Sequence, residues 1–287
     1  MSRSTITLSP SAPTLRPRAP RTTTPVPPSP GDTLGDQRTL MIGGAPVHLV
    51  DDRQARRVIA GAMHEDGPPL GVCSINLDHV HHFAQSDDRF DASGSVRWLN
   101  LIDGAPIATQ VRRMTGVSYP RLAGSDIVAG ILDDLAAAGL SLAVVGGSPE
   151  VTDELRRRLA SGWPNLRFAG HWTPPREQIT SQEGNERLCA ELREAQANAV
   201  LVCLGKPRQE RWIAAYGAQT GARTLLAFGA VVDFLAGRVS RAPHWVSAAR
   251  AEWMWRLMLE PRRLARRYLI EGPPAYMAVR SSGSRPQ

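Results

Sequence analysis

Lysine is nearly missing from this 287-residue chain: of 34 basic residues, only Lys206 is not arginine. Such a ratio reflects a GC-rich genome, so arginine carries no special meaning at any one site. Cysteine is scarce too. Cys73, Cys189 and Cys203 are isolated and odd in number, which excludes a fully paired disulfide framework, and no CxxC spacing signals zinc. Buried reduced thiols in a cytosolic protein are the expectation. No apolar run approaches the ~18–20 residues needed to cross a bilayer. The first 30 residues hold no apolar h-region, so no secretory signal is expected. No GxGxxG fingerprint follows any strand-like run, which argues against a nicotinamide-dependent oxidoreductase. No internal repeat is evident.

What is present describes a globular chain. Hydrophobic residues make up 42% and charged residues 21%, and the length suits one large or two small domains. The net charge of +7 points to an anionic partner: nucleic acid, a membrane surface or a phosphate-bearing ligand. That charge is segregated. Residues 1–38 carry +3, residues 39–237 carry −3, and the last fifty residues carry +7.

Eight of the 23 prolines fall within residues 1–37, with many Ser and Thr and no apolar periodicity. This composition cannot offset its ordering entropy, so residues 1–38 are expected to be a disordered tail. Leu40–Ile42 and Val47–Val50 read as a hairpin around Gly43-Gly44, with Asp51 or Asp52 capping a helix through about Met63. Apolar runs then follow at Leu70–Ile75, Trp98–Ile102, Leu140–Val145, Leu166–Ala169, Ala199–Leu204 and Thr224–Phe228. Helical patterns lie between them at Asp126–Ala138 (capped by Ser125), Pro149–Ala160, Glu183–Gln196 and Pro207–Gln219. This alternation predicts an α/β fold, a Rossmann-like, mostly parallel sheet flanked by helices, over residues 39–240. From Pro243 onward, Trp245, Val246, Ala249, Trp253, Met254, Leu257 and Met258 recur at helical spacing, then Leu264, Tyr268 and Leu269 continue among arginines. Residues 241–275 are therefore expected to form an Arg-rich amphipathic helical appendage, with a disordered tail over 276–287.

In open α/β sheets, ligands bind beyond the carboxyl ends of the strands. The residues there are Ser74 and Asn76, then Asp103-Gly104, Gly146-Gly147, Gly205-Lys206-Pro207-Arg208-Gln209-Glu210, and Gly229 with Asp233 beyond. Gly146-Gly147 before Pro149 is either a diphosphate seat at a helix N-terminus or a plain tight turn. Asp103 suits a general base at a strand end, or equally an N-cap for a helix from Ala105. His79 and His82, at i and i+3, share one helical face. Without a carboxylate motif beside them they read as solvated or capping histidines rather than metal ligands. Asp87-Asp88 and Asp133-Asp134 read as exposed helix charges.

Taken together and in order, these pieces resemble one family, the WecG/TagA/CpsF glycosyltransferases (glycosyltransferase family 26), across residues 40–270. The resemblance rests on Ser74-Ile75-Asn76, Asp103-Gly104-Ala105-Pro106, Arg121 through Asp126, Val145-Gly146-Gly147, Gly205 through Glu210, and Gly229 through Gly237. Arg241-Ala242-Pro243, Glu252 through Arg256 and Glu260 through Arg263 complete it. It implies an inverting, metal-independent transfer with no cofactor. A UDP-sugar would donate N-acetylmannosamine, its uronic acid or glucose to a polyprenyl-diphosphate-linked sugar, in cell-surface polysaccharide synthesis. By the same resemblance, Asp103 matches the general base. Ser74 and Asn76 match a Thr-x-Asn beside it, and Arg121 and Gln209 match substrate-binding positions. Gly146, Gly147, Gly205 and Asp233 surround the UDP moiety, and Arg256, Arg263 and Arg266 match arginines of a lid. Arg208 stands where the family has Lys.

The resemblance also implies a protein that is cytoplasmic and peripheral on the inner face of the bacterial membrane, held to an anionic surface by its basic, Trp-rich end, with self-association in several members. A nucleic-acid-binding protein using the basic tail is the other alternative. It lacks a recognisable binding motif, so no nucleic-acid partner is expected.

Overall fold

The computed structural model describes residues 33–83, 94–238 and 265–283. A two-stranded antiparallel hairpin opens it, β1 (Thr39–Ile42) and β2 (Ala45–His48). The chain then enters α1 (Asp52–Ala62), where Asp51 accepts the Gln54 amide and Gln54 returns a bond to the Asp51 backbone. This reciprocal pair satisfies two donors that every helix start leaves open.

Six strands follow: β3 (Leu70–Ile75), β4 (Arg97–Ile102), β5 (Ser141–Gly146), β6 (Arg167–Trp172), β7 (Ala199–Cys203) and β8 (Thr224–Ala227). They form one parallel sheet in the order β4-β3-β8-β7-β5-β6. The central strands are mostly apolar because both faces of the sheet are covered, as parallel sheets require. Alternate residues divide between two cores. Leu70, Val72, Leu142, Val144, Leu201 and Leu226 face α1, α4 (Gly124–Ala137), α5 (Thr152–Gly162) and α9 (Val231–Leu235). Cys73, Ile75, Ala143, Val145, Val200 and Leu225 face the hairpin, α2 (Leu77–Phe83), α3 (Ala105–Thr115), α7 (Gln182–Glu194) and α8 (Arg208–Tyr216). Burying each Val, Leu or Ile side chain contributes about 1.5–3 kcal/mol.

This two-faced arrangement creates the crevice. The chain leaves β5 through α5 on one face and leaves its neighbour β7 through α8 on the other. Adjacent strands whose connections diverge in this way open a gap at their carboxyl ends, where α/β proteins seat ligands.

Several boundaries differ from expectation. The helix expected after a Ser125 cap begins at Gly124, with Ala123 as N-cap and no side-chain cap bond. A Cβ on Gly124 would stand 2.5 Å from Cγ of Phe228, so the helix start is set by close packing rather than by capping. A short helix, α6 (Arg176–Thr180), precedes α7 and had no apolar period to announce it. Residues 33–38, expected in the N-terminal tail, hold a 3-10 turn (Leu34–Asp36), and the Leu49 amide donates to the Arg38 carbonyl at 2.8 Å. Asp133 and Asp134 are not idle charges: Asp134 takes two bonds from Arg56, at 2.8 and 2.5 Å, and Asp133 accepts from the Trp163 indole at 2.7 Å.

The C-terminal end also departs from expectation. A π-helical turn (Arg267–Glu271) leads into α10 (Gly272–Arg280), which runs through the boundary expected at 276. Ala275 and Val279 are buried in the core beside α2 and α3. The Gly43 amide donates to Ser282 Oγ, and Gln110 Nε2 donates to the Ser282 carbonyl, both at 2.6 Å. Residues 276–283 therefore dock on the hairpin and α3 instead of forming a tail. The expected helix around Trp245–Met258, together with Leu264, lies outside the described residues. So do Asp87-Asp88.

Candidate active site

The candidate residues follow the carboxyl ends of β3, β4, β5 and β7, on one edge of the parallel sheet. After β3, Asn76 projects toward the end of β4, where its Nδ2 donates to Asp103 Oδ2 at 2.9 Å. The Asp103 amide donates to the Ile75 carbonyl at 2.9 Å, which locks the two turns together. The capping alternative for Asp103 does not hold. The N-cap of α3 is Gly104, at φ +80, and it makes no side-chain cap bond. Asp103 is half-buried.

Ser74 is buried, and its hydroxyl donates to the Leu122 carbonyl at 2.8 Å. The Leu122 amide in turn donates to the Ile102 carbonyl at 2.7 Å. These two bonds hold the segment carrying Arg121, itself exposed, over the ends of β3 and β4. Ser74 thus acts on the loop that presents Arg121, rather than reaching into the crevice.

Across the crevice, Gly146 and Gly147 both take positive φ, +91 and +86. A Cβ at Gly146 would lie 2.5 Å from the Cys203 carbonyl oxygen, and one at Gly147 would lie 2.8 Å from Cγ1 of Val232. Only glycine fits between β7 and α9, and it leaves the turn's backbone open to a ligand. His171 on β6 donates through Nε2 to the Gly146 carbonyl at 2.8 Å, buttressing this turn. The second turn, at Gly205 with φ +78, leads through a cis Lys206–Pro207 bond into α8. Asp233 lies in α9, half-buried, next in sequence to the Val232 that closes on Gly147.

The structure brings in residues that the sequence reading left aside. Lys206 reaches across to Asn76 Oδ1 at 3.1 Å and stands 4.0 Å from Asp78. His79 is not solvated: it is fully buried, with Nε2 3.2 Å from Glu210 Oε1. Gln209 is buried as well. It donates to Glu210 Oε1 at 2.8 Å and to the Ala227 carbonyl at 2.9 Å, while its Oε1 has no hydrogen-bond partner among the described residues and lies 2.7 Å from where a Cβ of Gly229 would stand. Burial, then the Lys206 charge, push the His79 imidazole below its ordinary pKa. Burial raises the Glu210 carboxyl, but His79, Lys206 and Gln209 outweigh it and hold the group below the usual carboxylate range.

His82 pairs with Asp78 at 3.7 Å instead of joining His79 as a ligand. Glu271 comes near both, so that ligand atoms of Asp78, His82 and Glu271 lie within 4.8 Å of one another. Arg266 donates to Glu271 at 3.0 Å. Arg256 and Arg263 lie outside the described residues, as does Arg241.

A parallel sheet with a hydrogen-bonded carboxylate at the end of β4, and glycine turns at the ends of β5 and β7 where their connections diverge, defines a Rossmann-like α/β protein. The chain matches the glycosyl transferase WecG/TagA/CpsF family over residues 40–286, and it belongs to that family. It is 25% identical over 198 residues, 68% of this chain and 73% of the relative, to the N-acetylglucosaminyldiphosphoundecaprenol N-acetyl-beta-D-mannosaminyltransferase of Bacillus subtilis (strain 168). The chain is a glycosyltransferase, which removes the oxidoreductase and nucleic-acid-binding alternatives.

Proposed function

We propose that the protein moves a sugar from a UDP-linked donor to a polyprenyl-diphosphate-linked sugar, with inversion and without a metal, in cell-surface polysaccharide synthesis. The observation that carries this reading is the Asn76–Asp103 bond, which fixes a carboxylate at the carboxyl end of β4, on the sheet edge that also carries the glycine turns. The name of the Bacillus subtilis relative supports N-acetylmannosamine as the sugar and N-acetylglucosaminyl-diphosphoundecaprenol as the acceptor. Glucose is the other donor sugar to test.

In this mechanism the acceptor hydroxyl oxygen attacks the anomeric carbon as the bond from that carbon to the UDP oxygen breaks. The hydroxyl proton passes to Asp103, whose Oδ2 is already occupied by Asn76, so Oδ1 receives it. The departing diphosphate develops negative charge, which cationic donors and backbone amides stabilise in a water-poor crevice. Gly146, Gly147 and Gly205 seat the diphosphate. Asp233 accepts from the nucleoside, and Arg121 and Gln209 border the sugars. Arg256, Arg263 and Arg266 close over the donor from the C-terminal end. Arg266 is held by Glu271 in this structure and exchanges that partner for phosphate.

A lipid-linked acceptor fits an enzyme that works at a membrane surface, and the proposed location is its inner face. Among the described residues, no helix is long and apolar enough to cross a membrane. Leu269, Ile270 and Met277 are 64%, 67% and 65% exposed near the basic end, which supports peripheral contact with a lipid surface. Self-association is part of the same proposal.

Asp103→Asn tests the mechanism. It keeps the shape and the Asn76 neighbour, so transfer should fall by about 10²–10⁴-fold while UDP binding stays unchanged. A matching loss of UDP affinity would make Asp103 a binding residue, and unchanged transfer would remove it from the reaction. A panel of UDP-sugars offered with a short-chain polyprenyl-diphosphate N-acetylglucosamine acceptor decides the donor.

A further inference from the structure

The proposed reaction leaves one buried ionisable pair unused. The side chains of His79 and Glu210 are 0% and 1% exposed, and they come from α2 and α8. Taking a carboxylate out of water costs several kcal/mol unless it is paired and hydrogen-bonded. Glu210 Oε1 receives two donors, yet Oε2 has none among the described residues. As a stability device, the pair is incompletely satisfied.

The contacts of His79 on its other side carry the argument. Its Nδ1 lies 3.3 Å from the Asn76 backbone N–H, which donates to it, and 3.2 Å from Asn76 Oδ1. With the proton on Nε2, the ring donates to Glu210 and offers the Nδ1 lone pair to that backbone N–H. The opposite neutral form would give Asn76 Oδ1 a donor, but it would turn a lone pair toward the Glu210 carboxylate and set the Nδ1–H against the Asn76 backbone N–H; the buried negative charge decides between them. Glu210 therefore selects the tautomer, and the tautomer fixes the turn after β3. Asn76 sits on that turn, with Nδ2 on Asp103 and Oδ1 on Lys206.

We propose that His79 and Glu210 are a positioning pair for the reaction: Glu210 holds the His79 proton on Nε2, and His79 Nδ1 holds the Asn76 turn that aims the Asp103 carboxylate. The proposal rests on the reading of Asp103 as the base. Neither residue touches substrate. Both act through Asn76, and a wrong tautomer disrupts such an arrangement without altering its outline.

The test uses the full chain labelled with ¹⁵N-histidine. Long-range proton–nitrogen spectra at neutral pH should show His79, identified by its loss in His79→Gln, as the neutral Nε2–H tautomer. A resting Nδ1–H tautomer or a fully protonated ring overturns the proposal without reference to activity. Glu210→Gln, of the same size, removes the carboxylate charge that holds the proton on Nε2, so the ring is no longer bound to one neutral form. Its kcat should fall on the order of 10²-fold, with KM for the UDP-sugar, UDP affinity and thermal midpoint little changed. Unchanged kcat, or a loss of UDP affinity as large as the loss of rate, overturns the positioning role. Should Glu210→Gln fail to fold, the wild-type tautomer still decides. Transfer that survives in Asp103→Asn would refute the base while leaving the tautomer result standing. A dead Asp103→Asn beside a normal Glu210→Gln would refute the positioning pair alone.

Discussion

His48 makes the folded body sensitive to mild acid by an amount that can be worked out. It closes β2 against β4, it is buried, and its Nδ1 accepts the Asn100 backbone N–H at 3.0 Å. Burial pushes its imidazole down from 6.5 to about 4. The unfolded chain takes up a proton near pH 6.5, whereas the folded protein refuses it until about pH 4. Because the folded value is depressed and the neutral form is the one that folds, stability is lost as pH falls through that window. At pH 5 the linkage relation gives a loss of about 2 kcal/mol relative to pH 7 from this residue alone. Other groups titrate over the same range, so the comparison must be with His48→Asn, whose Oδ1 still accepts the Asn100 amide but does not ionise. Urea unfolding of both proteins, followed by tryptophan fluorescence at pH 7, 6 and 5, measures it. Whatever gap separates them at pH 7 should shift by about 2 kcal/mol in favour of the variant at pH 5. A constant gap across the three values, or a His48 resonance titrating above pH 6, would refute the reasoning.

Other perturbations address the crevice. Gly146→Ala should destabilise the protein by about 2 kcal/mol or more, since a residue at that positive φ is strained and its Cβ would meet the Cys203 carbonyl; urea unfolding reads it, and a stable variant would contradict the geometry. Lys206→Met should reduce kcat by the worth of one charged hydrogen bond, about 1.5–3 kcal/mol, because Asn76 loses its anchor; steady-state kinetics at saturating donor would show it. Truncation before Arg241 should leave a chain nearly inactive in transfer, since it removes the arginines proposed to close on the diphosphate together with α10; full activity would remove the lid from the mechanism.

The sheet was largely legible in the sequence because its strands are fully buried, and burial on both faces writes itself as short uninterrupted apolar runs. The run at Leu70–Ile75 coincides with β3. β6 was harder to bound. It is an edge strand of intermediate exposure that continues through Gly170-His171-Trp172, where no apolar run marks it. Asp103 and the glycine turns stood out because strand ends are where such folds place chemistry. The His79–Glu210 and Asn76–Lys206 contacts were hidden, because they join residues 131 and 130 positions apart. No local period reports a pairing made only by the sheet order. One signal was present: the solitary lysine of an arginine-rich chain falls inside the Gly205–Glu210 motif.

The position of β8 has a consequence for how this enzyme comes into being. Its four residues lie between β3 and β7, so without them β4-β3 and β7-β5-β6 are two separate fragments of sheet. During synthesis, the ribosome must deliver residue 227 before those fragments can join, and the closure spans about 150 residues of intervening chain. Long-range parallel pairing of this kind is slow and leaves strand edges exposed while it waits. The bond from Lys206 to Asn76 bridges the same two fragments. A nascent chain therefore holds no assembled site until β8 is inserted, and substitutions in Thr224–Ala227 should lower the yield of folded enzyme more than their small size implies.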